Sequence, residues 1–343
     1  MLLSTRNPLC HTLQLVLFRR DVPIELHMLI LPYFIRPISS AADLETALRS
    51  FHAPDDLPPY EQRDILCYGP IRYFDLSALK SFGCALQELV YFPADIEHWD
   101  TSSIENLDRC FMHRPDRDRR SAWPRIDRWD TSNVVSMRKT FYNCHDMNVP
   151  IGSWNTSKVV NFAFTFMSCY AFNQPLSNWS TASALTTRSM FHECELLNQS
   201  FAHFDMSNVT DSISMFSGCV KMDFDWPIGN WDVSQVKYMS GMFGQCLKFN
   251  APLNGWNVSR VENFTGLFRG CVQFNQPLDQ WKTDRAVKFT SMFEDCVVFN
   301  QPLRTWNVSK VVYMDKMFLG CRELHQSFLP ILYYVIYGSN LCE

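Results

Sequence analysis

Thirteen cysteines and nine histidines are the residues of this chain that could ligate a metal, form disulfides or attack a substrate. Their spacing decides between these chemistries. Eight cysteines (Cys144, Cys169, Cys194, Cys219, Cys246, Cys271, Cys296 and Cys321) follow one another every 25 residues, with a single step of 27 after Cys219. A register this strict, set within an apolar pattern, reads as a column of buried free thiols rather than as a disulfide framework. Stacked units about 4.8 Å apart would nevertheless bring neighbours inside the disulfide Cα window, so oxidation between neighbours is the alternative. His192 with Cys194, and Cys144 with His145, are isolated pairs that lack the second pair a zinc site needs, so no metal is expected. The sequence holds no G-x-S-x-G, no phosphate-cradling glycine loop, no H-E-x-x-H and no separated carboxylate pair with a plausible pocket. The expectation is a non-enzymatic protein without a cofactor.

Other polar motifs carry less. Seven N-x-[ST] sequons, at Asn155, Asn178, Asn198, Asn208, Asn257, Asn263 and Asn307, mostly restate a repeat. An insertion from His113 to Arg128 holds six Arg against three Asp and reads as an exposed charged loop, with Trp123 its one aromatic. The net charge of -4 argues against nucleic acid as a partner. The apolar stretches Pro8 to Phe18 and Ile331 to Tyr337 are too short to span a bilayer, and no membrane association is expected. Thirteen cysteines suit a reducing compartment, so the expected location is intracellular, in the cytoplasm of a eukaryotic or virus-infected cell.

The elements that position these residues are repeated. Trp129, Trp154 and Trp179, then Trp231, Trp256, Trp281 and Trp306, are spaced by 25, with Phe204 in the vacant slot and two extra residues between Cys219 and Pro227. With Trp as position 0, position 12 is Phe in all eight strong units, from Phe141 to Phe318, and position 15 is Cys. Fainter units begin at Trp99 and Phe74, which gives about ten. Apolar residues at positions 5, 8, 12 and 15, such as Val236, Met239, Phe243 and Cys246, have the spacing of one helical face. Ser at position 3 (Ser132, Ser157, Ser234) stands where an N-cap would, which predicts a helix of about three turns. Asn-Gln-Pro-Leu at positions 19 to 22 ends it, and a short strand is predicted around positions 22 to 26. Units this small cannot bury their apolar sides alone, so the expected fold is α/β: a right-handed solenoid of strand-helix units with a parallel sheet. Recurring Asn at position 19, including Asn148, Asn173, Asn198, Asn250, Asn275 and Asn300, is expected to form a ladder that satisfies backbone groups from unit to unit.

The unit W-[DN]-x-S-x-V-x-x-M-x-x-M-F-x-x-C-x-x-F-N-Q-P-L, read from Trp231 to Leu253, resembles the BspA-like leucine-rich-repeat family over residues 99 to 328. That resemblance implies a leucine-rich-repeat-like solenoid and a binding or adhesion module without catalytic residues. Upstream, residues 22–51 resemble an F-box, with Pro23, Glu25, Leu26, Ile30, Leu31 and Phe34 matching its opening pattern. Asp43, Leu44, Leu48 and Phe51 suit a following helix, but the usual V-C-[KR]-x-[WF] ending is missing. The F-box resemblance implies docking to a Skp1-like subunit through those six residues. The other reading of the segment is a plain helical cap on the first unit.

The chain therefore divides into a small helical N-terminal region (1–73), a repeat body (74–328) and a C-terminal cap (329–343). Two functions fit: a substrate-recruiting adaptor of a Skp1-cullin-type ubiquitin ligase, or a binding module, surface-type as in bacterial BspA-like proteins, with no ubiquitin link. The residues before each Trp, such as Ser177 and Asn178 or Arg304 and Thr305, carry no recognisable code for the captured protein.

Overall fold

A computed structural model describes residues 37–52, 74–87, 94–113 and 123–325. Ten rungs, beginning at Phe74, Trp99, Trp129, Trp154, Trp179, Phe204, Trp231, Trp256, Trp281 and Trp306, are joined by nine parallel single-residue bridges. Every bridge pairs position 7 with position 7 of the next rung, from Ser81 to Asn106 through to Lys288 and Tyr313. The pairing thus falls in the stretch predicted to be helical, and no pairing occurs at positions 22 to 26 among the described residues, where the strand was predicted.

The predicted repeat helix is replaced by a run of tight turns whose hydrogen bonds go mostly to the neighbour. In the rung that starts at Trp129, the N–H groups of Met137, Lys139, Phe141 and Asn143 donate to the carbonyls of Asn161, Ala163, Thr165 and Met167 in the next rung, at 2.8–3.0 Å. Between them, Thr140, Tyr142 and Cys144 donate three residues back within the rung. Alternation between the two partners requires left-handed backbone at positions 10 and 14. Lys139, Asn143, Phe164, Ser168, Ser189 and Glu193 have φ between 49° and 62° there, and Gly241 and Gly270 take the same positions further along. Left-handed backbone costs an L-residue roughly 1–2 kcal/mol, and the bonds between rungs offset that cost. A helix is excluded by size: packed helices need about 8–10 Å between axes, whereas the rings at position 12 stack at 5.4–6.2 Å from Phe111 to Phe268. The Ser at position 3 is not a helix cap either. Its N–H donates to the Asp or Asn at position 1, as Ser132 does to Asp130 and Ser234 to Asp232, both at 2.9 Å, in a local Asx turn.

The core consists of side-chain columns. Trp129, Trp154 and Trp179 stack nearly parallel at 6.4 Å. At position 0 from Trp129 to Trp306, each indole N–H reaches a carbonyl three residues before the preceding Trp slot, as Trp154 does to Ile126 at 2.8 Å. Phe166, Phe191, Phe216 and Phe243 form the adjacent column, all fully buried. The predicted amide ladder is present: Asn148 Oδ1 accepts from Asn173 N–H, Asn173 from Asn198, and Asn198 from Asp223, at 2.9–3.0 Å. At the two-residue insertion the chain turns left-handed at Phe224 (φ 54°), and a 3-10 helix, Ile228–Asn230, brings it back into register. There Trp226 is buried, its ring 6.1 Å from that of Phe201 and 5.3 Å from that of Trp231, next to the slot where Phe204 replaces a larger Trp.

Among the described residues one α-helix, α1 (Ala41–His52), packs against the first rung. Ser40 Oγ caps it by accepting Asp43 N–H at 3.1 Å, and Ile38 N–H donates to Asp75 O at 2.8 Å. Leu44 and Leu48 are fully buried in the same core as Phe74 and Phe82. This is the helix read from Asp43, Leu44 and Leu48.

Candidate functional site

The cysteine column is structural. Cys144, Cys169, Cys194, Cys219, Cys246, Cys271, Cys296 and Cys321 each donate Sγ–H to the position-12 carbonyl of the preceding rung at 2.9–3.1 Å, as Cys271 does to Phe243. All ten described cysteines are free, and all except Cys84 are buried. Burial raises the thiol pKa well above its ordinary value at Cys110, Cys169, Cys194, Cys246, Cys271 and Cys296, and also at Cys219. Such thiols stay protonated and are poor nucleophiles or ligands.

The imidazoles that neighbour them in sequence point elsewhere. His145 is exposed and stacks on Tyr170 at 4.8 Å, while Cys144 faces the Phe111 carbonyl. His192 lies 3.7 Å from Glu193 with its Nδ1 buried and unpartnered, and Cys194 bonds to Phe166. Among the described residues no three His, Cys, Asp or Glu side chains converge on a point. The sequon asparagines Asn155 and Asn257 hold Asx turns with Ser157 and Ser259, and Asn198 belongs to the amide ladder. Trp123 anchors the end of the Arg-rich insertion: its ring meets Phe111 and Phe141 edge-on, and its indole N–H donates to Asp146 at 3.1 Å. The F-box-like positions Pro23, Glu25, Leu26, Ile30, Leu31 and Phe34 lie outside the described residues.

What the fold offers to a partner is the face formed by positions 4, 6 and 7. A tight turn at positions 3 and 4, closed by bonds such as Val261 N–H to Val258 O and Ala286 N–H to Thr283 O, leads into a short extended step, so positions 4 and 6 are exposed or half-buried while Val236, Val261 and Ala286 at position 5 are buried. Main-chain bonds hold position 6 in line: Val160 N–H donates to Val135 O, Leu185 to Val160, and Val312 to Val287. The face has two characters. In the rungs from Trp129 to Trp179 position 6 is apolar and exposed, with Val135 at 42%, Val160 at 39% and Leu185 at 54%. In the last four rungs the face carries Lys237, Arg260, Arg285, Lys288 and Lys310 against one carboxylate, Glu262, and it also exposes Tyr238, Val312 and Tyr313.

Sequence reasoning missed this face because a helix would have put positions 6 and 7 on its flanks. The signal was present: Gly and Ser recur at positions 10 and 14, and left-handed turns favour Gly while helix interiors do not favour Gly or Ser. Ser177, Asn178, Arg304 and Thr305, the residues first singled out as variable, are exposed on a different edge. Beside that edge, Asn254, Trp256, Asn257, Ser259, Gln280 and Lys282 line an open depression of about 610 Å³. Its Trp is only 3% exposed, so it presents no aromatic platform.

A family model described as "Mycoplasma protein of unknown function, DUF285" matches residues 62–120, 116–226 and 220–330. The three tandem matches accord with a repeat protein of the BspA-like type. They begin after the F-box-like segment. No curated protein and no solved structure matches the chain.

Proposed function

The chain belongs to the DUF285 family, and from that premise we propose that it is a non-enzymatic scaffold for protein-protein interaction, built as a right-handed leucine-rich-repeat-like solenoid. The observation that carries this reading is the aligned face at positions 4, 6 and 7. Ten rungs locked by backbone bonds and aromatic columns present variable side chains in a fixed lattice, which lowers the entropy cost of docking. The buried thiols of the body, by contrast, serve to pack the core.

The finer proposal is an intracellular adaptor in which Pro23, Glu25, Leu26, Ile30, Leu31 and Phe34 dock a Skp1-like subunit while the repeat body holds the protein to be modified. Its support is the F-box-like spacing and the apolar row Leu26, Ile30 and Phe34. Leu26→Asp combined with Ile30→Asp is expected to abolish co-purification with a Skp1-like subunit while the repeat body keeps its melting transition. Unchanged co-purification would refute the adaptor reading.

A second reading, a binding module whose N-terminal region only closes the stack, is favoured by one observation. Leu44 and Leu48 of α1, the residues offered as the second F-box helix, are buried against the first rung and face no partner. Deleting residues 1–73 separates the two: the adaptor loses its ligase contact but keeps its cargo, whereas a capped module loses stability and no partner of its own.

A further inference from the structure

The basic half of the face has an unmet electrostatic requirement. Arg260, Arg285 and Lys310 occupy position 4 of three successive rungs, all exposed, and none has a carboxylate within ion-pair distance among the described residues. Arg260 instead donates to Gln235 Oε1 at 2.6 Å, and Lys288 lies over the Tyr313 ring at 5.1 Å. Cations stacked about 4.8 Å apart repel one another unless an anion lies along them. Beside this row lie Tyr238 and Tyr313 at position 7 and Val287 and Val312 at position 6, interrupted at the Trp256 rung by Glu262 and Asn263; Tyr238, Val312 and Tyr313 are exposed and Val287 is half-buried.

We infer that this half of the face binds an amphipathic acidic helix laid along the stack, its carboxylates on Arg260, Arg285 and Lys310 and its apolar side chains on Tyr238, Val287, Val312 and Tyr313. The period selects the partner. A helix offers one side chain per turn about every 5.4 Å, and over three intervals it drifts from a 4.8 Å lattice by under about 2 Å, within the reach of long Arg and Lys side chains. An extended peptide repeats on one face only every 6.6 Å or so, and a duplex nucleic acid strand carries a phosphate about every 3.4 Å. Neither keeps step with the rungs. The apolar row gives a helix a second line of contact that a bare polyanion would leave empty. The other half, at Val135, Val160 and Leu185, has a single cation at position 4, Lys158, which donates to Asn133 Oδ1 at 2.7 Å, and without a row of cations it takes no part. The inference rests on the scaffold reading and names its partner.

The test uses the full chain and a synthetic helical peptide of about 18 residues with Glu at i, i+4, i+7 and i+11 beside a Leu row, labelled for fluorescence anisotropy. The scrambled peptide of equal composition and a single-stranded oligonucleotide of equal charge serve as comparisons. The ordered peptide should bind at least tenfold more tightly than either. The triple variant Arg260→Glu, Arg285→Glu and Lys310→Glu, which melts like its parent, should lose that binding at least tenfold. Val135→Ser with Leu185→Ser should leave it unchanged. Equal binding of the scrambled peptide, equal or tighter binding of the oligonucleotide, or indifference to the charge reversal would overturn the inference. Cargo that survives the charge reversal would leave the scaffold standing and remove only the helix site.

Discussion

Raising the pH should dismantle the stack, because the buried thiol column titrates only after unfolding. An unfolded cysteine ionises near pH 8.5, whereas seven thiols, from Cys110 to Cys296, are held protonated well above that by burial. The folded pKa is raised, so the unfolded state releases protons first. The stabilisation from these protonated thiols is complete below about pH 8.5 and is lost as pH rises towards the folded values. Each thiol then removes about 1.4 kcal/mol per pH unit, so seven together remove roughly 10 kcal/mol between pH 7.5 and 9.5. That matches the whole stability of an ordinary domain, about 5–15 kcal/mol. The assay is urea denaturation followed by circular dichroism at half-unit steps from pH 7 to 10.5, under reductant and without oxygen. Lysine and tyrosine titration is controlled with Cys194→Ala, Cys219→Ala and Cys246→Ala combined, which should cut the alkaline slope by about three-sevenths even though it lowers stability at pH 7. An unchanged slope in that variant, or a parent protein whose stability is flat to pH 10, would refute the burial of the column.

Phe243→Ala removes a ring stacked 4.2 Å from Phe249 and 6.0 Å from Phe268, and should cost about 3–5 kcal/mol and split thermal unfolding into two transitions as the halves uncouple. Lys248→Ala, which breaks only an exposed contact with Asp223, should cost under about 1 kcal/mol in the same melt. Ser291→Gly, at a left-handed φ of 54°, should stabilise by about 0.5–1 kcal/mol in urea titrations, whereas in a helix it would destabilise by a similar amount. Asp232 is held below its ordinary pKa by the Ser234 N–H and then its hydroxyl, and Asp100 by the Ser102 hydroxyl and then its N–H. These contributions are present above about pH 4 and lost as pH falls through the lower folded values, so Asp100→Asn with Asp232→Asn should flatten the acid limb measured by proton uptake on unfolding.

The repeat, its period, the break after Cys219, the core identity of Trp, Phe and Cys, and the amide ladder from Asn148 to Asn300 were all legible in the sequence. Each is a one-dimensional regularity, and a stack turns one-dimensional regularity into columns. The backbone that carries those columns was not legible. Spacings of three and four at Val236, Met239, Phe243 and Cys246 suit a helix, and the same spacings suit tight turns that reverse at Gly241 and Gln245. What separates the two is where the N–H of residues such as Phe243 finds its acceptor, and that acceptor, the carbonyl of Leu267, belongs to the next rung. Local sequence holds no record of a partner 24 residues away, so the choice is made only when neighbours stack too closely for helices. The exposed face followed from that choice. Once position 4 sits in a tight turn and positions 6 and 7 in a short extended step rather than in a helix, Arg260, Arg285 and Lys310 line up along one edge, and the contrast with Val135, Val160 and Leu185 becomes a property of the surface.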